Sequence, residues 1–165
     1  MRMYKLFTVK FFEFLAVLVI LQIPAESFAQ SRKIHFSGDG FLKVDGKRQF
    51  IIGTYHLPHD ETPCQTLARH GFNLVRTPLE QDALDNAQQY NLFAWSSVGH
   101  LKSSAAPEKV EAFRKKIRRW KSHPALLFWV FEDDPAFTWR SVIARVTPEP
   151  LIHPYKVVEQ EDPDH

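Results

Sequence analysis

At 165 residues, 44% of them hydrophobic, the chain can bury one core and is too short for two. Its 21 Lys and Arg nearly balance 19 Asp and Glu, which leaves no strong field to draw it to nucleic acid as a class. Cys64 is the only cysteine, so the sequence excludes an internal disulfide and places this thiol in a core.

Residues 1–29 stand apart from the rest. Arg2, Lys5 and Lys10 precede the apolar run FFEFLAVLVILQI, and Ser27-Phe28-Ala29 follows it. A short basic region, a short apolar stretch and small residues at the cleavage positions describe a secretory signal peptide. Glu13 and Gln22 interrupt the run, which falls short of the roughly 20 residues that span a bilayer. Cleavage is expected after Ala29, which makes the protein exported, periplasmic or extracellular, with no membrane anchor remaining. An uncleaved anchor is the alternative. Without three bases (Arg2, Lys5, Lys10) and two acids (Glu13, Glu26), residues 30–165 carry 18 bases and 17 acids, a net +1.

The next signal is FLKVDGKRQF, where Asp45-Gly46 separates two alternating segments and predicts a β-hairpin. FIIGTY (50–55) reads as a buried strand. Thr62 and Pro63 open a helix with Gln65 placed as in a capping box, Leu67 and Ala68 face inward, and Gly71 supplies the stop. NLVRT (73–77) is the second strand; LEQDALDNAQQY is a helix closed by Asn91; LFAWSSV (92–98) is the third strand. PEKVEAFRKKIRRWKS is a helix with Val110, Phe113, Ile117 and Trp120 at core spacing, which puts its basic residues on the solvated face. ALLFWVF (125–131) is the fourth strand. Pro150 and Pro154 interrupt the last helical stretch, so that helix is expected to start at Pro154.

Continuous apolar strands alternating with amphipathic helices predict a parallel sheet covered by helices. The first strand runs into TYHLPHDETP, with no GxGxxG loop for a dinucleotide phosphate. Instead, polar groups gather where strands end: Tyr55, His56 and His59; Arg76; His100; Glu132, Asp133 and Asp134. Chemistry at strand C-termini is the arrangement of a (β/α)8 barrel.

LKVDGKRQFIIGTYHLP, LARHGFNLVRT and HPALLFWVFEDDP together resemble the N-terminal half of clan A glycoside hydrolase barrels, particularly families 2 and 5 and their bacterial relatives. The likeness runs from about residue 40 onward. It implies an α/β fold, a partial (β/α)8 TIM barrel of about four β/α units preceded by a β-hairpin, filling residues 30–165. It also implies a retaining double-displacement reaction on O-glycosidic bonds of a carbohydrate, with no cofactor. Matched residue by residue, Asp134 takes the acid/base glutamate position, Asp133 the acidic or amide position before it, and Pro135 the proline after it. Arg76 matches the second-strand arginine that helps position the nucleophile, and His100 lies near a third-strand position that helps shape the site.

Two departures follow. Aspartate stands where the family has glutamate, and retaining enzymes hold their carboxyl groups about 5 to 5.5 Å apart, so one lost methylene matters. Glu132 is the weaker alternative, since alternate strand residues share a face. Further, four strand–helix units account for half a barrel, where a full one takes about 250 residues. The family's seventh-strand glutamate nucleophile has no counterpart in these residues. The 165-residue chain alone is therefore expected to lack turnover, and to self-associate or pair with a complementary half-barrel.

His56 and His59 form HLPH beside Asp60, but Pro58 forbids a regular helix and a third metal ligand is not evident, so no metal is expected and His56 is placed near a sugar site. Trp95, Trp129 and Trp139 each fit a core; Trp139, in FTWR beyond the last strand, is the best placed to stack on a sugar ring. Arg76 fits a structural salt bridge as well as a site. Two functions stay open: a secreted glycosidase, or a non-catalytic carbohydrate-binding remnant of such a barrel.

Overall fold

The computed structural model describes residues 32–131 and 149–165. Residues 1–29, read above as a signal peptide, together with Glu132, Asp133, Asp134 and Trp139, lie outside these residues.

Three short antiparallel strands come first, β1 (Ile34–Phe36), β2 (Leu42–Val44) and β3 (Lys47–Gln49), ordered β1-β2-β3. The predicted turn between β2 and β3 is present, with Asp45 and Gly46 at φ 50° and 78°, the paired positive values of a tight hairpin turn. The sequence reading missed β1, whose three residues give too short an alternation to register.

A parallel sheet follows, β4 (Gly53–Thr54), β5 (Leu74–Arg76), β6 (Phe93–Ser97) and β7 (Leu126–Val130), in the order β4-β5-β6-β7. Helix α1 (Pro63–Arg69) links β4 to β5, α2 (Gln81–Gln89) links β5 to β6, and α3 (Pro107–Trp120) links β6 to β7. Helix α4 (Glu149–Glu161) comes last. The mixed α/β architecture thus matches the strand–helix alternation in the sequence.

Three local expectations are corrected. First, FIIGTY is not a buried strand throughout: only Gly53 and Thr54 pair, while Phe50 and Ile52 are 77% and 43% exposed. The Asn73 side chain takes the place of the ladder there, accepting from Ile52 N (2.8 Å) and donating to the Phe50 carbonyl (2.7 Å). Gly53 permits the close approach to β5, because a Cβ there would sit 3.1 Å from Leu74 Cδ2. Second, Thr62 makes no side-chain capping bond. Its φ and ψ of −133° and 58° leave the extended region that an N-cap uses, and its own N–H donates to Asp60 Oδ1 (2.8 Å) instead. The predicted stops hold, with Gly71 at φ 84° and Asn91 at φ 56°.

Third, α4 runs through Pro154 rather than starting at it. An interior proline costs about 3 kcal/mol, and docking offsets it. Pro154 is fully buried, and Val157 and Val158 pack with Val98, Leu101, Phe113 and Ile117. Arg114 and Arg118 of α3 both bond the Glu161 carboxylate, and Lys121 Nζ donates to the Glu161 carbonyl at 2.6 Å. These bonds also revise the solvated-face reading of the basic run: two of its arginines fasten a neighbouring helix.

Alternation along the strands sorts the core. Val75 and Ala94 join Cys64, Leu67, Leu84 and Ala87 beneath α1 and α2. On the other face Leu74, Phe93 and Leu127 meet Leu42 and Val44, so the antiparallel strands cover the N-terminal end of that face. A bulge in β7 shifts the register: Ala94 partners Leu126, but Trp95 partners Phe128. Trp129 consequently points to the helices, where its Nε1 donates to Asp162 Oδ2 at 2.6 Å.

Candidate functional site

The antiparallel strands cover one end of the sheet face; the strand C-termini at the other end carry the site. Leu74 and Arg76 share a face of β5, so the residue that follows the covered apolar layer is a guanidinium. Trp95 is the register partner of Arg76 on β6, and Tyr55 follows directly from β4. The Arg76 guanidinium lies 4.4 Å from the Tyr55 ring centre and 5.5 Å from that of Trp95. The two rings meet edge to face at 5.3 Å. Among the described residues Arg76 is held by these aromatic faces. Directly behind, Thr77 Oγ1 and Ser96 Oγ hydrogen-bond at 3.0 Å in full burial, tying β5 to β6 beneath the site.

His56 sits at the rim, exposed, its ring 4.9 Å from that of Tyr55; Thr54 Oγ1 donates to its carbonyl at 2.8 Å. The structure therefore brings together two of the residues marked in the sequence, Arg76 and His56. His100 is elsewhere, exposed on the loop after β6 and lining a separate pocket. Among the described residues, no group of three His, Cys, Asp or Glu side chains is placed to hold a metal ion.

Trp95 and Tyr55 are the residues that sequence reasoning undervalued. A usable signal lies in FAWS: Ala94 and Ser96, under the helices, are small, while Phe93 and Trp95, on the other face, are large. Close packing of helices on a strand selects small residues, so the large alternates mark the face that has room.

Chemically, half-buried aromatic rings present flat apolar faces, and the guanidinium presents five N–H donors and no acceptor. Such a cluster can stack against a flat ligand face and donate hydrogen bonds to it, with the titratable imidazole of His56 at its rim.

The same fold occurs in a solved calcium-binding mutant of Bacteroides uniformis beta-glucuronidase 2, with 16% identity and a TM-score of 0.51 over 81% of this chain and 20% of that one. It occurs also in an endocellulase from Pyrococcus horikoshii in complex with cellotetraose, with 11% identity and a TM-score of 0.56 over 82% of this chain and 56% of that one. The fold is glycosidase-like. The chain spans less than two thirds of either neighbour, and at these identities the likeness concerns the fold alone. No family model and no curated protein matches the sequence.

Proposed function

We propose that this is an exported, carbohydrate-active protein whose sugar ring is received by Tyr55, Arg76 and Trp95, with His56 at the rim. The observation that carries this reading is the guanidinium held between two aromatic rings at the C-terminal ends of a parallel sheet. The glycosidase-like fold supports it. In the full reading, the four β/α units are part of a (β/α)8 barrel that cleaves O-glycosidic bonds with retention. Asp134 is then the acid/base, Glu132 its weaker substitute, and Asp133 and Trp139 substrate contacts.

The alternative is a non-catalytic carbohydrate-binding remnant, in which the same ring faces and N–H donors of Tyr55, Arg76 and Trp95 serve binding alone. One set of measurements tests the readings. Titration with soluble oligosaccharides, followed by tryptophan fluorescence, should show saturable binding that Trp95→Ala removes; binding to none of them, or unchanged binding in the variant, sinks both. Aryl-glycoside turnover that Asp134→Ala abolishes establishes catalysis by this chain, whereas binding without turnover is the outcome expected of these residues alone under either reading. Export is tested by mass spectrometry of the secreted product, which should begin at Gln30.

A further inference from the structure

The loop after β6 and the first turns of α3 enclose a pocket of about 650 Å³. Among the described residues its lining carries three lysines, Lys102, Lys109 and Lys116, and no carboxylate. Its floor is apolar, set by Val98, Leu101 and Phe113 of the core beneath. Lys116 is positioned rather than loose, because its Nζ donates to the Val98 carbonyl at 2.9 Å, leaving two of its three N–H groups for another acceptor. The loop folds tightly over it, with Gly99 at φ 96° and Lys116 Nζ 3.5 Å from where a Cβ would stand. Of the two acids on α3, neither Glu108 nor Glu111 lines the pocket, and Glu111 is engaged by Arg118 at 2.9 Å. Ala106, the N-cap of α3, has no side-chain oxygen to occupy the positive end of the helix.

Ammonium groups gathered round one apolar floor repel one another until an anion arrives, while the floor rewards an apolar body that leaves water. We propose that this pocket binds a small organic carboxylate with an apolar body, of the arylalkanoate class, its carboxylate on the lysines and its body over Leu101 and Phe113. Tyr55, Arg76 and Trp95 do not line it, so the inference is independent of the carbohydrate reading.

The test uses the fluorescence of 8-anilinonaphthalene-1-sulfonate on the purified protein, with 4-phenylbutyrate and its uncharged analogue 4-phenylbutanol as competitors. Saturable one-to-one binding is expected, displaced by the carboxylate and not by the alcohol. The double variant Lys102→Glu/Lys109→Glu should weaken it by about tenfold or more, whereas Lys33→Glu/Lys47→Glu, on the antiparallel strands, should leave it unchanged. Ala112→Trp fills the pocket without altering charge and should also abolish binding, which decides the matter if the double variant does not fold. Absence of saturable binding, equal displacement by the alcohol, or undiminished affinity in a folded pocket variant overturns the proposal.

Discussion

On β6, Ala94 and Ser96 face the helices and are fully buried, while Phe93 and Trp95 on the opposite face are half-buried and Ser97 is exposed. The same division runs through β5, with Val75 and Thr77 buried under helices and Leu74 and Arg76 on the other side. Five consecutive residues thus build two different surfaces. One is a closed interior of small and aliphatic groups. On the other, among the described residues, the antiparallel strands cover the N-terminal end, and the C-terminal end turns cationic and aromatic. The helix side carries stability and the far side is free to carry recognition.

The sharpest way to break this comparison is to cut each side in turn. Leu84→Ala, in the helix-side core, should cost about 3 kcal/mol in denaturant unfolding, the usual loss for a fully buried leucine. If it costs no more than a substitution at Arg76, the two faces are not energetically distinct.

Next in size is Glu161→Gln, which should cost about 2 kcal/mol by removing the charge that Arg118 and Arg114 share. Those arginines, Arg118 foremost, hold the Glu161 carboxyl down to about 2 from its usual 4.5. A carboxyl depressed on folding stabilises above its unfolded pKa, and this contribution disappears as the pH falls from about 4.5 through about 2. An acid titration followed by circular dichroism should show wild type losing stability in that window, with the decline flattened in Glu161→Gln.

Ser96→Ala should cost about 1 kcal/mol by leaving Thr77 Oγ1 buried without its partner. A thermal melt reads this, and a double variant with Thr77→Val should recover part of the loss. The smallest stability effect belongs to the far side. Arg76→Lys should change unfolding by less than about 0.5 kcal/mol, yet weaken oligosaccharide binding, because an ammonium does not reproduce a planar group between two rings.

How much of this was legible in the sequence follows the same division. Strand–helix alternation, the Asp45-Gly46 turn and the stops at Gly71 and Asn91 could all be read, because each rests on local chemistry. The capping at Thr62, the exposure of Phe50 and the start of α4 could not. Two were decided by distant partners, the Asn73 amide for residues 50–52 and the α3 arginines for the proline-bearing helix, and Thr62 by a competing local one, the Asp60 carboxylate two residues before it. At the site, Arg76 stood out as a charge in an apolar strand. Its stacking partners stood out less: Trp95 read as a core aromatic and Tyr55 as one of several polar groups at the strand ends until register placed them beside it.

The bulge in β7 makes the direction of that strand depend on a single residue of length. Ala94 opposite Leu126 and Trp95 opposite Phe128 leave Leu127 as an inserted residue, and both Leu127 and Phe128 join the cluster on the far face. Pairing the same residues without the bulge would act like a frameshift in three dimensions. Every residue from Phe128 onward would change sides, Trp129 would leave Asp162, and Phe128 and Val130 would turn under the helices. Deleting Leu127 would instead keep those sides and remove only the bulge and its leucine, so a graft of β7 into another scaffold must keep either the bulged pairing at full length or regular pairing with Leu127 removed.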